Sequence, residues 1–156
     1  MTSNSRLQSG TLAPAFKATD HTGANVALSD FEGSKLVMYF YPRAFTPGCT
    51  TQACDFRDNY QAFVAAGYEI VGVSPDNVEE LLAFTDEHDL PFPLLSDPDH
   101  EIAKAYGAWG LKRNYGREYE GTIRSTVAID ANGTVEHVWY NVRAKGHAAR
   151  VGQELI

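Results

Sequence analysis

The sequence has few cysteines and no long hydrophobic run, and each shortage excludes a class of protein. Its 156 residues include two cysteines, too few for the disulfide framework of a small secreted protein. The longest apolar stretch covers residues 36–41, whereas a membrane-spanning helix needs about 20 apolar residues. The first ten residues carry one arginine and no apolar segment, so we expect no secretory signal. The sequence therefore predicts a soluble, cytoplasmic protein.

Positive charge is also scarce. Lysine and arginine total 13 against 20 aspartates and glutamates, which gives a net charge of −7. Because proteins that bind nucleic acids or anionic membranes usually present a basic face, this balance argues against both partners. The length is typical of one domain that buries a core without covalent or metal staples. We predict a single domain over residues 1–156, with residues 1–13 as a flexible polar leader.

Strand and helix patterns alternate along most of the chain. Apolar, β-branched runs predict strands at 15–20, 26–28, 35–41, 68–74, 94–95, 122–129 and 134–140. Helical spacing and capping residues predict helices at about 48–67, from 75, at 97–107 and from 146, with a loop at 108–121. This order predicts an α/β fold in which helices cover both faces of a mixed sheet.

The two cysteines, Cys49 and Cys54, lie in the predicted helix that follows strand 35–41. Reactive groups often collect where strands of such sheets end and helices begin. A helix N-terminus favours the thiolate, which is the nucleophilic form of cysteine. Since the helix contributes only about 0.3–1 kcal/mol, we expect a cation nearby. The candidates are Arg43 and Arg124, although Arg124 could also be a solvated strand end.

The spacing of the cysteines limits how they can react. Five residues apart in a regular α-helix, two Cα atoms are separated by about 8.6 Å. A disulfide needs about 4.4–6.8 Å. Either the cysteines never pair, or the helix unwinds between them during function. Thr50 and Thr51 are poor helix formers and lower the cost of unwinding.

Each of these residues also has a simpler, purely structural interpretation. Both cysteines could be small buried hydrophobes, and a zinc site would need about four ligands, which five scattered histidines do not readily supply. Thr46 could be an ordinary helix N-cap, or its hydroxyl could reach the thiolate or a bound substrate oxygen. Pro42 and Pro47 could punctuate the strand and the helix, or make the loop rigid.

A family resemblance covers nearly the whole chain. The segment PRAFTPGC at 42–49 resembles the P-x-x-x-T-x-x-C motif of peroxiredoxins, and its continuation CTTQACDFRD at 49–58 is similar to the bacterioferritin comigratory protein, or PrxQ, subfamily. The segments APAF at 13–16, YFYP at 39–42, FPLLSD at 92–97 and IRST at 123–126 extend the resemblance.

The resemblance implies a thioredoxin-like fold with an N-terminal hairpin and a peroxidase that reduces hydrogen peroxide and organic hydroperoxides. Cys49 would be the peroxidatic thiolate and Cys54 the resolving cysteine. Their intrachain disulfide would be reduced by thioredoxin or a similar thiol donor. Thr46 and Arg124 would hold the peroxide oxygens, and Pro42 would shield the thiolate. We expect no cofactor and no metal, and a monomer.

The chain departs from the family pattern at a few positions. Phe45 stands where relatives often carry a polar residue, which would alter access to the site or favour apolar hydroperoxides. Gln52 replaces a glutamate found in some relatives, and we assign it no role from the sequence. Val127 replaces an aromatic residue.

Two other functions are compatible with the same fold: a dithiol–disulfide oxidoreductase, which normally carries C-x-x-C, and a non-catalytic binding domain.

Overall fold

The computed structural model describes residues 6–114 and 116–156. The strands are β1 (Lys17–Asp20), β2 (Asn25–Ala27), β3 (Lys35–Phe40), β4 (Tyr68–Ser74), β5 (Leu94–Ser96), β6 (Trp109–Asn114), β7 (Arg117–Thr122), β8 (Ser125–Ile129) and β9 (Val135–Trp139). The helices are α1 (Pro47–Asp58), α2 (Tyr60–Ala65), α3 (Val78–His88), α4 (Glu101–Ala105) and α5 (His147–Leu155), and a 3-10 turn spans Leu28–Phe31.

A seven-stranded mixed sheet lies at the centre, in the order β2-β1-β5-β4-β3-β8-β9. The pairs β3–β4 and β4–β5 are parallel, whereas β3–β8, β8–β9, β1–β5 and β1–β2 are antiparallel. The antiparallel β1–β2 pair is the N-terminal hairpin. The predicted α/β class and its mixed, helix-covered sheet are confirmed.

Strand β3 divides the core into two layers. Its side chains alternate between faces, as a strand period of two requires. Val37 and Tyr39 join a buried cluster with α1, α2, α3 and α5, and Leu36, Met38 and Phe40 join a second cluster that includes α4. All five side chains are at most 1% exposed. This burial on both faces explains why the sequence of β3 is continuously apolar.

Three sequence predictions need correction. The predicted loop at 108–121 contains the antiparallel ribbon β6–β7, which periodicity missed because its side chains are mostly exposed and polar. The predicted helix 48–67 is interrupted at Asn59, which separates α1 from α2. The helix expected from Asp97 begins at Glu101. The Asp97 carboxylate nevertheless accepts hydrogen bonds from the Ile102 and Ala103 N–H groups.

Much of the predicted flexible leader is bound to the sheet. Residues 1–5 lie outside the described residues. Beyond them, the Gly10 N–H donates to the Val135 carbonyl, and Leu12 forms a β-bridge with Thr134. The Leu7 N–H donates to the Tyr140 hydroxyl at 2.8 Å. From Leu7 onward, backbone groups of the predicted leader therefore have partners in β9 or in the residues that flank it. Within the described part of the chain, no helix has the length and apolar character needed to cross a membrane.

His147 is the first residue of α5, and its side chain lies in the core. It is 4% exposed, and its Nε2 lies 2.7 Å from the Thr126 hydroxyl. Burial lowers the pKa of His147 to about 4, and the positive charges of Arg150 and Arg124 act in the same direction. The imidazole is thus held neutral in the folded protein.

This burial predicts a pH-dependent loss of stability. An unfolded chain binds a proton on His147 near pH 6.5, whereas the folded chain does so only near pH 4. The burial of His147 therefore does not lower the free energy of unfolding above about pH 6.5, but lowers it progressively as the pH falls towards 4. Between pH 7 and 4.5, His147 should remove about 2 kcal/mol from the free energy of unfolding. Denaturant titrations of wild type and His147→Gln at both pH values measure this. Equal losses in the two proteins would contradict it.

Candidate active site

Cys49 lies where the sequence predicts, in the first turn of the helix that follows β3. Thr46 is the N-cap of α1, Pro47 is its first residue, and Cys49 is its third. The Cys49 side chain is 1% exposed and belongs to the cluster formed by α1, α2, α3 and α5. The first N–H groups of a helix have no intrahelical acceptor, so this position favours an anion.

Arg124 supplies the cation beside Cys49. Its Nη2 donates to the Cys49 Sγ at 3.3 Å. Arg124 immediately precedes β8, and the antiparallel register that sets Ser125 opposite Phe40 brings it to the end of β3. Gly48 also matters here, because a Cβ at that position would lie 3.2 Å from Nη2. Arg43, the other candidate, is exposed, and no contact joins its side chain to Cys49 among the described residues.

Gln52 is a site residue that sequence reasoning missed. It lies three residues after Cys49 in α1 and is fully buried. Its Oε1 accepts a hydrogen bond from Arg124 Nη1 at 2.5 Å, so one arginine contacts both α1 residues. Its Nε2 has no hydrogen-bond partner among the described residues. Its spacing from Cys49 could have indicated this role, since residues i and i+3 share one face of a helix.

Thr46 holds its own loop closed. Its Oγ1 donates to the Arg43 carbonyl at 2.8 Å. The backbone of Thr46 is extended, as an N-cap requires, but the side chain makes no capping hydrogen bond to the helix. The prediction that Thr46 is the N-cap is confirmed for its position in the helix, although its side chain bonds to the loop and not to the helix. Its oxygen retains lone pairs, and its hydroxyl lies in the same short loop as the half-buried Pro42.

Asp76 anchors the loop between β3 and α1, and it is a second residue that the sequence did not indicate. Its Oδ2 accepts hydrogen bonds from the Ala44 N–H and from the Ser74 hydroxyl, both at 2.7 Å. Ser74 ends β4, the parallel neighbour of β3, so Asp76 reaches the loop from the same edge of the sheet. The contact spans 32 residues, and nothing in the local sequence indicates it.

Phe45 forms an apolar rim on this loop. Its φ is 67°, which is uncommon for a bulky residue and marks a tightly constrained backbone. The ring is 53% exposed and packs edge-on against Phe84 of α3, with ring centroids 5.1 Å apart. The contact explains how the loop keeps this conformation.

Cys54 lies on the intact helix, separated from Cys49 by more than one turn. Both cysteines are free, and Cys54 is half-buried. Its Sγ lies 3.8 Å from Nδ1 of His88. Because α1 is continuous over both cysteines, ideal helix geometry separates their Cα atoms by about 8.6 Å. The described residues contain no group of three or more His, Cys, Asp and Glu side chains placed to hold a metal ion.

Known proteins identify the family of this chain. The sequence profile described as the AhpC/TSA family matches residues 9–138. A putative peroxiredoxin of Mycobacterium tuberculosis is 50% identical over 155 residues, which cover 99% of each chain. Peroxiredoxin Bcp of Bacillus subtilis is 44% identical and covers 96% of this chain and 95% of its own length. The chain belongs to the peroxiredoxins.

Solved peroxiredoxin structures share its fold. The Xanthomonas campestris bacterioferritin comigratory protein, studied as trapped intermediate and ligand complexes of its alkyl peroxide reduction activity, superposes with a TM-score of 0.85. It is 35% identical, with 90% of this chain and 89% of the other covered. A cysteine-to-serine mutant of Xylella fastidiosa PrxQ gives a TM-score of 0.90 at 28% identity, with 96% of each chain covered. The resemblance to the PrxQ subfamily and the thioredoxin-like fold are confirmed.

The Arg124 contact predicts a large effect on thiol reactivity. Replacing Arg124 with Gln removes the positive charge and a donor to Cys49, and should slow oxidation of Cys49 by hydrogen peroxide at least about 100-fold. The measurement is the second-order rate constant for loss of the Cys49 thiol at pH 7. Arg113→Gln is a matched control, because Arg113 lies on the exposed β6–β7 ribbon and pairs with Glu118. A rate within about twofold of wild type would remove Arg124 from the reaction.

Proposed function

We propose that this peroxiredoxin reduces hydrogen peroxide and organic hydroperoxides with Cys49 as the peroxidatic cysteine. The observation that carries the proposal is the 3.3 Å hydrogen bond from Arg124 Nη2 to the Cys49 Sγ at the start of α1. A buried sulfur at a helix N-terminus, held by a guanidinium, is suited to act as an anionic nucleophile.

In the proposed first step, the Cys49 thiolate attacks the terminal peroxide oxygen. An S–O bond forms and the O–O bond breaks, and the leaving oxygen departs as hydroxide or alkoxide and takes up a proton. Arg124 donates hydrogen bonds to the peroxide oxygens, where negative charge develops. The Thr46 oxygen, whose own proton goes to the Arg43 carbonyl, holds the peroxide by accepting a hydrogen bond from its O–H group. Pro42 shields the sulfur from water. Cys49 becomes a sulfenic acid.

In the proposed second step, Cys54 attacks the sulfenic sulfur of Cys49 to form an intrachain disulfide and release water. The geometry of α1 requires the helix to unwind between the two cysteines first. Thr50 and Thr51 lie in the segment that must open, and neither favours a helix. A dithiol donor, thioredoxin or a similar protein, would then reduce the disulfide. We propose that the chain works as a cytoplasmic monomer.

The exposed Phe45 ring favours organic hydroperoxides among the substrates. It provides apolar surface next to the loop that carries Thr46, and burying such surface contributes about 25 cal/mol per Å². An alkyl group can use this contact, whereas hydrogen peroxide cannot.

Two cysteine variants test this reaction. Reduced wild type, Cys49→Ser and Cys54→Ser are mixed with hydrogen peroxide, and thiol loss and disulfide mapping are followed. We expect fast oxidation in wild type and Cys54→Ser, none at a comparable rate in Cys49→Ser, and a 49–54 disulfide in wild type alone. Cys54→Ser should lose turnover with thioredoxin, because its sulfenic acid cannot form the intrachain disulfide. Equal, slow oxidation of all three proteins would refute the proposal.

A further inference from the structure

Cys54 has a titratable neighbour that the proposed function does not use. The Cys54 Sγ lies 3.8 Å from Nδ1 of His88, which is the last residue of α3. Both side chains are half-buried. Hydrogen bonds to sulfur are longer than those to oxygen, and a neutral imidazole nitrogen without a proton accepts from a thiol. Cys54 therefore lies beside a nitrogen that accepts the thiol hydrogen when Nδ1 carries no proton.

Two contacts from separate elements hold His88 in this orientation. Arg57 of α1 donates from Nη1 to the His88 carbonyl at 2.8 Å. The imidazole ring packs edge-on against Phe84, with ring centroids 5.1 Å apart. Because the backbone and the ring are both held, Nδ1 stays directed at Cys54.

Arg57 places a positive charge within electrostatic reach of Cys54. A hydrogen bond to Asp58 raises the pKa of Arg57, and the negative charge of a Cys54 thiolate acts in the same direction. Arg57 is therefore a permanent cation within electrostatic reach of this sulfur. The buried Tyr39 of β3 also interacts electrostatically with Cys54. Burial raises the pKa of Tyr39 well above its usual value, so this hydroxyl stays neutral. Asp89, which follows α3, is a further charged neighbour of Arg57.

We propose that His88 is the general base that deprotonates the resolving cysteine, an inference that rests on the proposed function. His88 Nδ1 takes the proton from Cys54 Sγ, and the thiolate attacks the sulfenic sulfur of Cys49. The S–S bond forms as the S–O bond breaks. The sulfenic sulfur is reduced, the Cys54 sulfur is oxidised, and the departing hydroxide becomes water. The imidazolium returns its proton to solvent.

Proton transfer precedes the movement of the helix. The contact with His88 exists while α1 is intact, and in that state the two sulfurs are held too far apart to bond. Cys54 must therefore leave His88 before it reaches Cys49. His88 prepares the thiolate, and unwinding then delivers it.

Rapid-mixing experiments on the full chain separate this role from the first step. Reduced wild type, His88→Gln and His88→Phe are mixed with hydrogen peroxide, quenched with an alkylating reagent, and analysed by mass spectrometry for sulfenic acid and the 49–54 disulfide. His88→Phe keeps a ring against Phe84 without a basic nitrogen. His137→Gln is the matched control, because His137 lies on β9 and pairs with Glu154.

We expect all four proteins to oxidise Cys49 at the same rate. Disulfide formation at pH 7 should slow about 10- to 30-fold in both His88 variants, because a thiol without a base is only about 3% ionised at that pH. The difference from wild type should disappear near pH 9, where solvent ionises the thiol. Sulfinic acid at Cys49 should accumulate in the His88 variants, because its sulfenic acid persists.

The outcomes distinguish the two proposals. Disulfide formation at the wild-type rate in His88→Gln would overturn the role of His88, as would a slowing that is equal at pH 7 and pH 9, which would indicate a structural effect only. Failure of wild type to form sulfenic acid at Cys49 would instead overturn the proposed function.

Discussion

The contact between Arg124 and Cys49 is the interaction on which the arrangement of the site depends. A sulfur atom buried to 1% exposure can carry negative charge only where a cation and hydrogen-bond donors offset the desolvation cost. Arg124 provides both, and the N-terminus of α1 adds its partial charge. The guanidinium is in turn held by Gln52 from the same helix. The contacts of Arg124 with Cys49 and Gln52 therefore join α1 to the residue that precedes β8.

Side chains of the central sheet and its loops support α1 and the loop that precedes it. Tyr39 stacks on Phe56 of α1 with ring centroids 4.6 Å apart and meets Phe92 edge-on, so the helix that carries both cysteines rests on an aromatic layer. Asp76, reaching from the end of β4, fixes the Ala44 backbone. The stack of Tyr39 on Phe56 lies outside the segment between Cys49 and Cys54 that opens in the proposed reaction. Phe56 lies beyond that segment, so the second half of the helix can stay anchored.

Sequence patterns predicted the core elements well and the exposed ones poorly. Strand β4 was predicted with its observed bounds at 68–74, because buried strands have a continuous apolar signature. The β6–β7 ribbon was missed, since its polar side chains carry no period that distinguishes it from a loop. Residues from Leu7 onward were assigned to a flexible leader for a related reason. The backbone of this segment pairs with residues 133–135 at the start of β9, and side-chain composition does not reveal hydrogen bonds between backbone groups.

The sequence by itself determined the candidate reactive centre: a cysteine in the first turn of a helix after a buried strand, a second cysteine five residues later, and an arginine as candidate counter-ion. These follow from local rules, because helix starts, strand runs and spacing are properties of neighbouring residues. The family resemblance already favoured Arg124 over Arg43, and the tertiary structure places Arg124 beside Cys49. Only the tertiary structure brought Gln52, Asp76 and His88 into the candidate site. The Arg124–Gln52, Asp76–Ala44 and His88–Cys54 contacts join residues 72, 32 and 34 positions apart. Such pairs meet because strand pairing and helix packing fix their positions in space, and no local pattern encodes that placement.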